Sequence, residues 1–352
     1  MRKFKALESL RFFAAISVAL LHIFGIYGKG NLIPYSFILS VDFFFVLSGF
    51  VITYKESKNK NSLDYTKEFV YGRVIRLLIP YMLIILFYYL FFNKFFLKRH
   101  ITLLQGFIEL FLLQIMGLNI NNIANLSILD TGLVAWAVGL ELYIGNFYFP
   151  FVHYIKKKSK VLLFLLCTII FIVSLSIITH NSDRFLDVHY QEWHGIPLGI
   201  FRILVSYSIG TISALIYNKI KEIKLKYNEN LVYSGLEIII FLVLFRYYGK
   251  IYYYRENEYL FPIIAGLMII IFAQEKGILS NLLKKIYYLG LLSYSIYLLH
   301  PIYIGIFRYF NMKLNIYLII IYLICIMLGS FLFYKNIEKF IIKFKYDVKN
   351  EH

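Results

Sequence analysis

Apolar runs long enough to cross a bilayer recur along this chain, and the loops between them are too short for a folded soluble domain. Eleven segments qualify: about 6–28, 36–55, 75–93, 101–118, 132–152, 161–179, 199–218, 231–248, 258–274, 287–309 and 316–334. A hydrocarbon core about 30 Å thick takes about 20 apolar residues in helical form. Only helices and closed barrels satisfy their own backbone groups in lipid. These runs are continuous rather than alternating, so the chain is predicted to be an all-α integral membrane protein. Only 16% of its 352 residues are charged and its mean hydropathy is +0.69; soluble domains carry about 25% charged residues.

The fourth run is different. Gln105, Glu109 and Gln114 recur along it at helical spacing, which makes 101–118 amphipathic. It fits an interfacial helix or a re-entrant element better than a lipid-facing span. The basic residues agree. With the N-terminus inside and 101–118 not crossing, the inner segments hold 25 of the 37 Lys and Arg residues, the outer segments 8 and the spans 4. If 101–118 crossed, every later loop would invert, and the lysine-rich loops near 156–160, 219–226 and 276–285 would face out. The positive-inside rule rejects that. The expectation is a bundle of about ten spans with both termini cytoplasmic, residues 1–345 as one transmembrane domain and 346–352 as a cytoplasmic tail.

The net charge of +17 therefore belongs to loops facing anionic lipid headgroups, and nucleic acid is not an expected partner. The first apolar run is too long for a signal-peptide core and shows no small-residue cleavage site, so it is read as retained. Cys167 and Cys325 lie in apolar runs without ligand spacing and read as packing residues. His180, His189 and His194 share an outer loop, again without metal spacing, and no metal site is expected. The tyrosines at 252–254 and the stretch 190–194 suit the interfacial aromatic belt better than a sugar contact.

The ionisable residues within the spans carry the functional reading, because each costs about 2.5 kcal/mol or more on insertion scales. Arg11 and His22 lie eleven residues apart in the first span, about 20° past three full turns, hence on one face. Ala15 and Val18 lie between them. Either the pair flanks a narrow polar slot, or Arg11 snorkels and His22 hydrogen-bonds in the bundle. Asp42 stands in VDFFFVLSGF in the second span. Arg73 and Arg76 lie one turn apart at the third span's cytoplasmic entry, where two guanidinium forks suit phosphate; ordinary positive-inside anchoring accounts for them too. Trp136 and Glu141 sit well inside the fifth segment, and Tyr294, Tyr297 and His300 follow at i, i+3 and i+6 in the tenth.

Threading gives these residues depths. His22 and Asp42 fall roughly 9 Å below the outer ends of their spans, and Glu141 and His300 roughly 13 Å. Arg11, Arg73 and Arg76 fall near the inner boundary. One layer holds a base and carboxylates, and the other is cationic.

Taken together, these motifs resemble the acyltransferase 3 family of bacterial membrane proteins that O-acylate envelope polysaccharides. The matching features are Arg11 with His22, Asp42-Phe43-Phe44 with Ser48-Gly49-Phe50, and Arg73 with Arg76 and Pro80-Tyr81. Trp136 with Glu141, Arg202 with Gly210, and Ser293-Tyr294 with Tyr297-Leu298 and His300 complete them. The departures are local. Trp136-Ala137-Val138 stands where the family usually has Trp-Ser-Leu, and Ile144-Gly145 where Phe-Tyr often follows the glutamate. Longer members add an extracytoplasmic esterase-like domain, for which this chain has no room.

The resemblance implies a multi-pass protein of the bacterial inner membrane with no permanently bound cofactor. It implies acyl-CoA, usually acetyl-CoA, as co-substrate, and as acceptor a hydroxyl of lipopolysaccharide, capsule, peptidoglycan or a related glycan, in some cases lipid-linked. The family's essential basic and histidine pair maps onto Arg11 and His22. Acyl transfer from a thioester to a hydroxyl needs a base and a donor to the oxyanion. His22 is the candidate base or transient acyl carrier, with Asp42 or Glu141 orienting its ring. Arg11, Arg73 and Arg76 are the candidate CoA-phosphate ligands, and Trp136, Tyr294, Tyr297 and His300 the candidate substrate contacts. The competing class is a transporter or flippase of a lipid-linked glycan, since buried charges also line permeation paths. No internal repeat or pair of broken spans supports that alternative.

Overall fold

Long apolar stretches with few internal breakers fold here as helices, and helices make up most of the described residues. The computed structural model describes residues 3–54, 62–87, 90, 103–113, 132–183, 185–188, 191–223, 228–248, 255–341 and 343. The helices begin with α1 (Lys5–Ile26), α2 (Ser40–Tyr54), α3 (Ser62–Phe87), α4 (Leu103–Leu110) and α5 (Gly132–Lys158). Next come α6 (Lys160–Asn181), α7 (Leu198–Ile220), α8 (Glu229–Tyr248), α9 (Phe261–Gln274), α10 (Ile278–Lys285) and the single turn α11 (Tyr287–Gly290). The last are α12 (Ser293–Tyr309) and α13 (Ile316–Phe333). A two-residue hairpin, β1 (Glu192–Trp193) with β2 (Ile196–Pro197), precedes α7. Its turn at His194-Gly195 takes positive φ at both positions.

Eight helical stretches are long and apolar enough to cross a membrane. They contain α1, α2, α3, α6, α7, α8, α9 and α13. The remaining two of the ten expected spans correspond to α5, 27 residues, and α12, 17 residues. The chain is therefore an all-α polytopic membrane protein. The proposed tail at 346–352 and most of the outer loop at 94–131 lie outside the described residues.

By its contacts the chain divides into two units: residues 1–62 with 147–293, and residues 63–146 with 294–352. In the first unit α7 is central, packed by α2, α6 and α9. Glycine decides the α2–α7 crossing. A Cβ on Gly210 would stand 2.1 Å from the Val46 carbonyl oxygen, and one on Gly49 2.5 Å from that of Tyr207. Small residues permit such backbone approach, which is the main source of helix association where lipid offers no hydrophobic drive. Thr53 donates to Thr211 at 2.9 Å, and Tyr148 meets Thr211 at the same distance, adding a buried polar seam.

The helix ends of this unit sort into two groups, as antiparallel threading requires. In one group, Lys156 near the end of α5 donates to the carbonyl of Thr53 near the end of α2. The Ala6 N–H at the start of α1 donates to Glu275, just past α9. Phe4, Phe50, Tyr54 and Tyr217 form one ring cluster with centroids 5.0–5.9 Å apart. In the other group, Tyr35 before α2 donates to Asp187 after α6. Ser36 donates to the Tyr247 carbonyl at the end of α8, and the Leu186 N–H donates to Glu258 before α9. α2 and α9 each run from one group to the other.

The amphipathic α10 is held by α8. Ser234 accepts from the Ile278 N–H at 3.1 Å, and the buried Glu237 accepts from Leu279 and Ser280 at 2.8 and 3.2 Å. Those are N–H groups that a first helical turn leaves without internal partners. Gly277 makes the approach possible, since a Cβ there would meet the Glu237 carboxylate at 2.3 Å.

In the second unit α3 carries Pro80, which has no N–H to return to the Arg76 carbonyl. The neighbouring Leu77 carbonyl accepts from the Tyr294 hydroxyl at 2.5 Å. α12 packs on α13 where the Tyr303 hydroxyl fills the space over Gly329. Ser295 donates to the buried Glu338, in the π-helical turn Tyr334–Glu338 after α13.

Within the amphipathic run at 101–118, the described residues form α4, whose eight residues span about 12 Å. The helix stops at Leu112, which has positive φ. Its last carbonyls are taken by tyrosines of neighbouring helices: Tyr81 of α3 donates to Glu109, and Tyr143 of α5 to Phe111 at 2.6 Å. Tyrosines of α3 and α5 thus hold the end of α4.

Candidate active site

Of the three arginines expected near the inner boundary, Arg11 and Arg73 pair with a carboxylate. α1 is unbroken from Lys5 to Ile26, so Arg11 and His22 ride one rigid helix about 16 Å apart along its axis. Both are half-buried, and Ala14, Ala15, Val18 and Ala19 on the same helix are buried. Arg11 Nη1 donates to Glu8 Oε2 at 2.8 Å, with the two side chains 18% and 23% exposed. Glu8 lies one turn earlier, and an acid at i−3 of an arginine is the signal that reveals the pair in sequence.

Asp42 is fully buried in α2 and faces Arg202 of α7, also fully buried. The guanidinium donates through Nε to Oδ1 at 3.0 Å and through Nη2 to Oδ2 at 2.7 Å. Ser206, one turn further along α7, adds a longer contact to Oδ1 at 3.4 Å. A fourth contact runs from Nη2 to the Ile38 carbonyl at 3.3 Å. This is the fork-on-carboxylate geometry in which a buried ion pair is tolerated. Arg202 is one of four span arginines, and nothing in the sequence alone singles it out as the partner of Asp42.

The second unit carries the other candidates. Arg73 donates through Nε and Nη2 to the Glu141 backbone carbonyl at 3.0 and 2.8 Å, and through Nη2 to the Glu141 carboxylate at 3.2 Å. Its guanidinium lies over Gly145, where a Cβ would stand 2.6 Å from Nη2. The glycine that departs from the family pattern is thus the residue that leaves this arginine its place. Phe69 stacks beneath, 5.7 Å from the guanidinium carbon. Arg76 is exposed and Trp136 half-buried.

Tyr294 spends its hydroxyl on the Leu77 carbonyl, so it ties α12 to the proline-distorted turn that carries Arg73 and Arg76. Tyr297 and His300 are buried, their rings 5.8 Å apart edge to face. His300 Nδ1 lies 3.3 Å from the Ile296 carbonyl.

The structure therefore places Arg11, His22 and Asp42 in the first unit and Arg73, Arg76, Trp136, Glu141, Tyr294, Tyr297 and His300 in the second. Both carboxylates expected to orient His22 have an arginine partner. In comparison with known proteins, the model of the acyltransferase domain family matches residues 4–335, nearly the whole chain and both units. The chain belongs to the acyltransferase 3 family. No curated protein and no solved structure matches it. The match makes this protein a membrane acyltransferase, and it spans every motif residue from Arg11 to His300.

Proposed function

We propose that this acyltransferase moves an acyl group, in the first instance acetyl, from cytoplasmic acyl-CoA to a hydroxyl of an envelope glycan. The acceptor class is lipopolysaccharide O-antigen, capsule or a related polysaccharide of a bacterial inner membrane. The observation that supports this reading is α1, one uninterrupted helix within the family match that carries a guanidinium and an imidazole about 16 Å apart along its axis. A donor bound from inside and an acceptor presented from outside need functional groups at both levels.

In this reading Arg11, Arg73 and Arg76 hold the phosphates of CoA. The acceptor hydroxyl gives its proton to His22 as its oxygen attacks the thioester carbonyl; CoA leaves as the thiolate and takes up a proton. If His22 instead carries the acyl group, the imidazole nitrogen attacks first and the hydroxyl attacks the acyl-imidazole second. Asp42 or Glu141 orients the ring, and Trp136, Tyr294, Tyr297 and His300 shape the acceptor side.

The test is to add labelled acetyl-CoA to membranes containing the protein and to follow label into glycan. Transfer is expected with the parent and a loss of about a hundredfold or more with His22→Ala, the scale of a positioned base. A His22→Ala protein that inserts normally and still transfers at the parental rate would falsify the assignment. Glycan movement without label would point to a flippase instead.

A further inference from the structure

Arg11 is a candidate phosphate ligand paired with a side-chain carboxylate from its own helix, Glu8. Among the described residues, the polar contact of its guanidinium is the 2.8 Å bond from Nη1 to Glu8. A guanidinium has five N–H donors in a planar fork, so most of this largely buried fork faces no protein acceptor. Glu8 cannot easily withdraw. The Glu8 carbonyl is in tight contact with Gly290, where a Cβ would stand only 1.9 Å from the oxygen. Ser9 donates to the Leu283 carbonyl at 2.6 Å, and the Ala6 N–H is held by Glu275. The first turn of α1 is thus anchored on three sides, with the acid fixed one turn from the arginine.

We propose that Glu8 is an affinity-setting residue for the acyl donor: its carboxylate occupies Arg11 when no donor is bound and opposes the incoming CoA phosphate. This rests on the reading that Arg11 binds CoA. An arginine with no counter-charge would hold a polyanion tightly and release CoA slowly after transfer. A neighbouring carboxylate supplies a replacement partner, so the guanidinium is never left uncompensated, and product leaves more readily. No covalent step is involved. The exchange is one anionic partner of Arg11 for another.

The experiment is titration of CoA into purified parent, Glu8→Gln, Arg11→Gln and the double variant, each at low and high salt. Glu8→Gln is expected to bind CoA on the order of tenfold more tightly at low salt, with the gain shrinking as salt screens the charge. Arg11→Gln is expected to bind more weakly, and Glu8→Gln is expected to change nothing further on that background. Unchanged or weaker binding by Glu8→Gln, with Arg11→Gln weakened, overturns the role of Glu8 and leaves the donor reading standing. Parental binding by Arg11→Gln overturns the donor reading at this residue and the proposal with it. If Glu8→Gln does not fold, Glu8→Asp serves: the shorter acid keeps its charge but reaches Arg11 less well. It is expected to bind CoA more tightly than the parent, and parental affinity there also overturns the proposal.

Discussion

Asp42 and Arg202 show how much an intramembrane charge depends on its partner. Both side chains are fully buried, and the guanidinium meets both carboxylate oxygens. Removing one partner leaves the other charge uncompensated, which costs about 3–5 kcal/mol. Arg202→Ala is therefore expected to lower stability by that amount in detergent unfolding. Asp42→Leu with Arg202→Met, which removes both charges and keeps volume, is expected to recover most of the loss. A double variant as unstable as the single would show that the pair does more than neutralise itself. At this scale the sequence was half legible. The cost of charge in a span marked Asp42, Glu141, Arg11 and His22 as residues that need a reason. Which arginine answers which acid was not legible across helices, because Arg202 and Asp42 are 160 residues apart and spacing carries no information over that distance. The Glu8–Arg11 pair is local, at i and i+3, and so is legible from spacing.

Helices here are positioned by a few specific contacts on otherwise similar apolar cylinders, and this limits what patterning can reveal. Hydrophobic runs located the spans, and an amphipathic period separated 101–118 from the others. That α7 is central, with α2 against it through Gly49 and Gly210, depends on two hydrogen atoms in place of side chains. Such glycines are visible in sequence, and their partners are not. The capping of α10 is of the same kind. Glu237 of α8 takes two N–H groups of the α10 first turn, and Ser234 takes a third. Glu237→Ala removes an acceptor that both bonds those groups and opposes the helix dipole. The expected loss is about 1–2 kcal/mol, read as faster amide hydrogen exchange at residues 278–281. Glu237→Gln keeps an acceptor and should fall between. If exchange at 278–281 is unchanged in Glu237→Ala, the capping account of α10 fails.

At the scale of the whole chain, direction across the membrane comes from charge and not from packing. Apolar helices pack equally well with either end up, whereas the 25 basic residues assigned to inner segments against 8 outside favour one orientation. The structure supplies an independent part of the same argument. The end group containing Lys156, Tyr54, Tyr217 and Glu275 is the one next to the lysine-rich loops, and the group containing Tyr35, Asp187, Tyr247 and Glu258 is not. Had 101–118 crossed, α5 to α9 would be reversed against α1 and α2, and Lys156 would not reach the Thr53 carbonyl at 2.7 Å. Single cysteines at Lys158, two residues before α6, and at Asn181, its last residue, mark the two ends of this 22-residue helix, which has no Lys, Arg, Asp or Glu after Lys160. A membrane-impermeant maleimide added to intact cells is expected to label Asn181→Cys and to label Lys158→Cys only after permeabilisation. Cys167 and Cys325 lie within apolar helices, so the parent supplies the background. Labelling of Lys158→Cys in intact cells, with Asn181→Cys protected, would invert the bundle and put the arginine of α1 outside. An acyl-CoA donor made in the cytoplasm would then have no guanidinium at Arg11 to meet it.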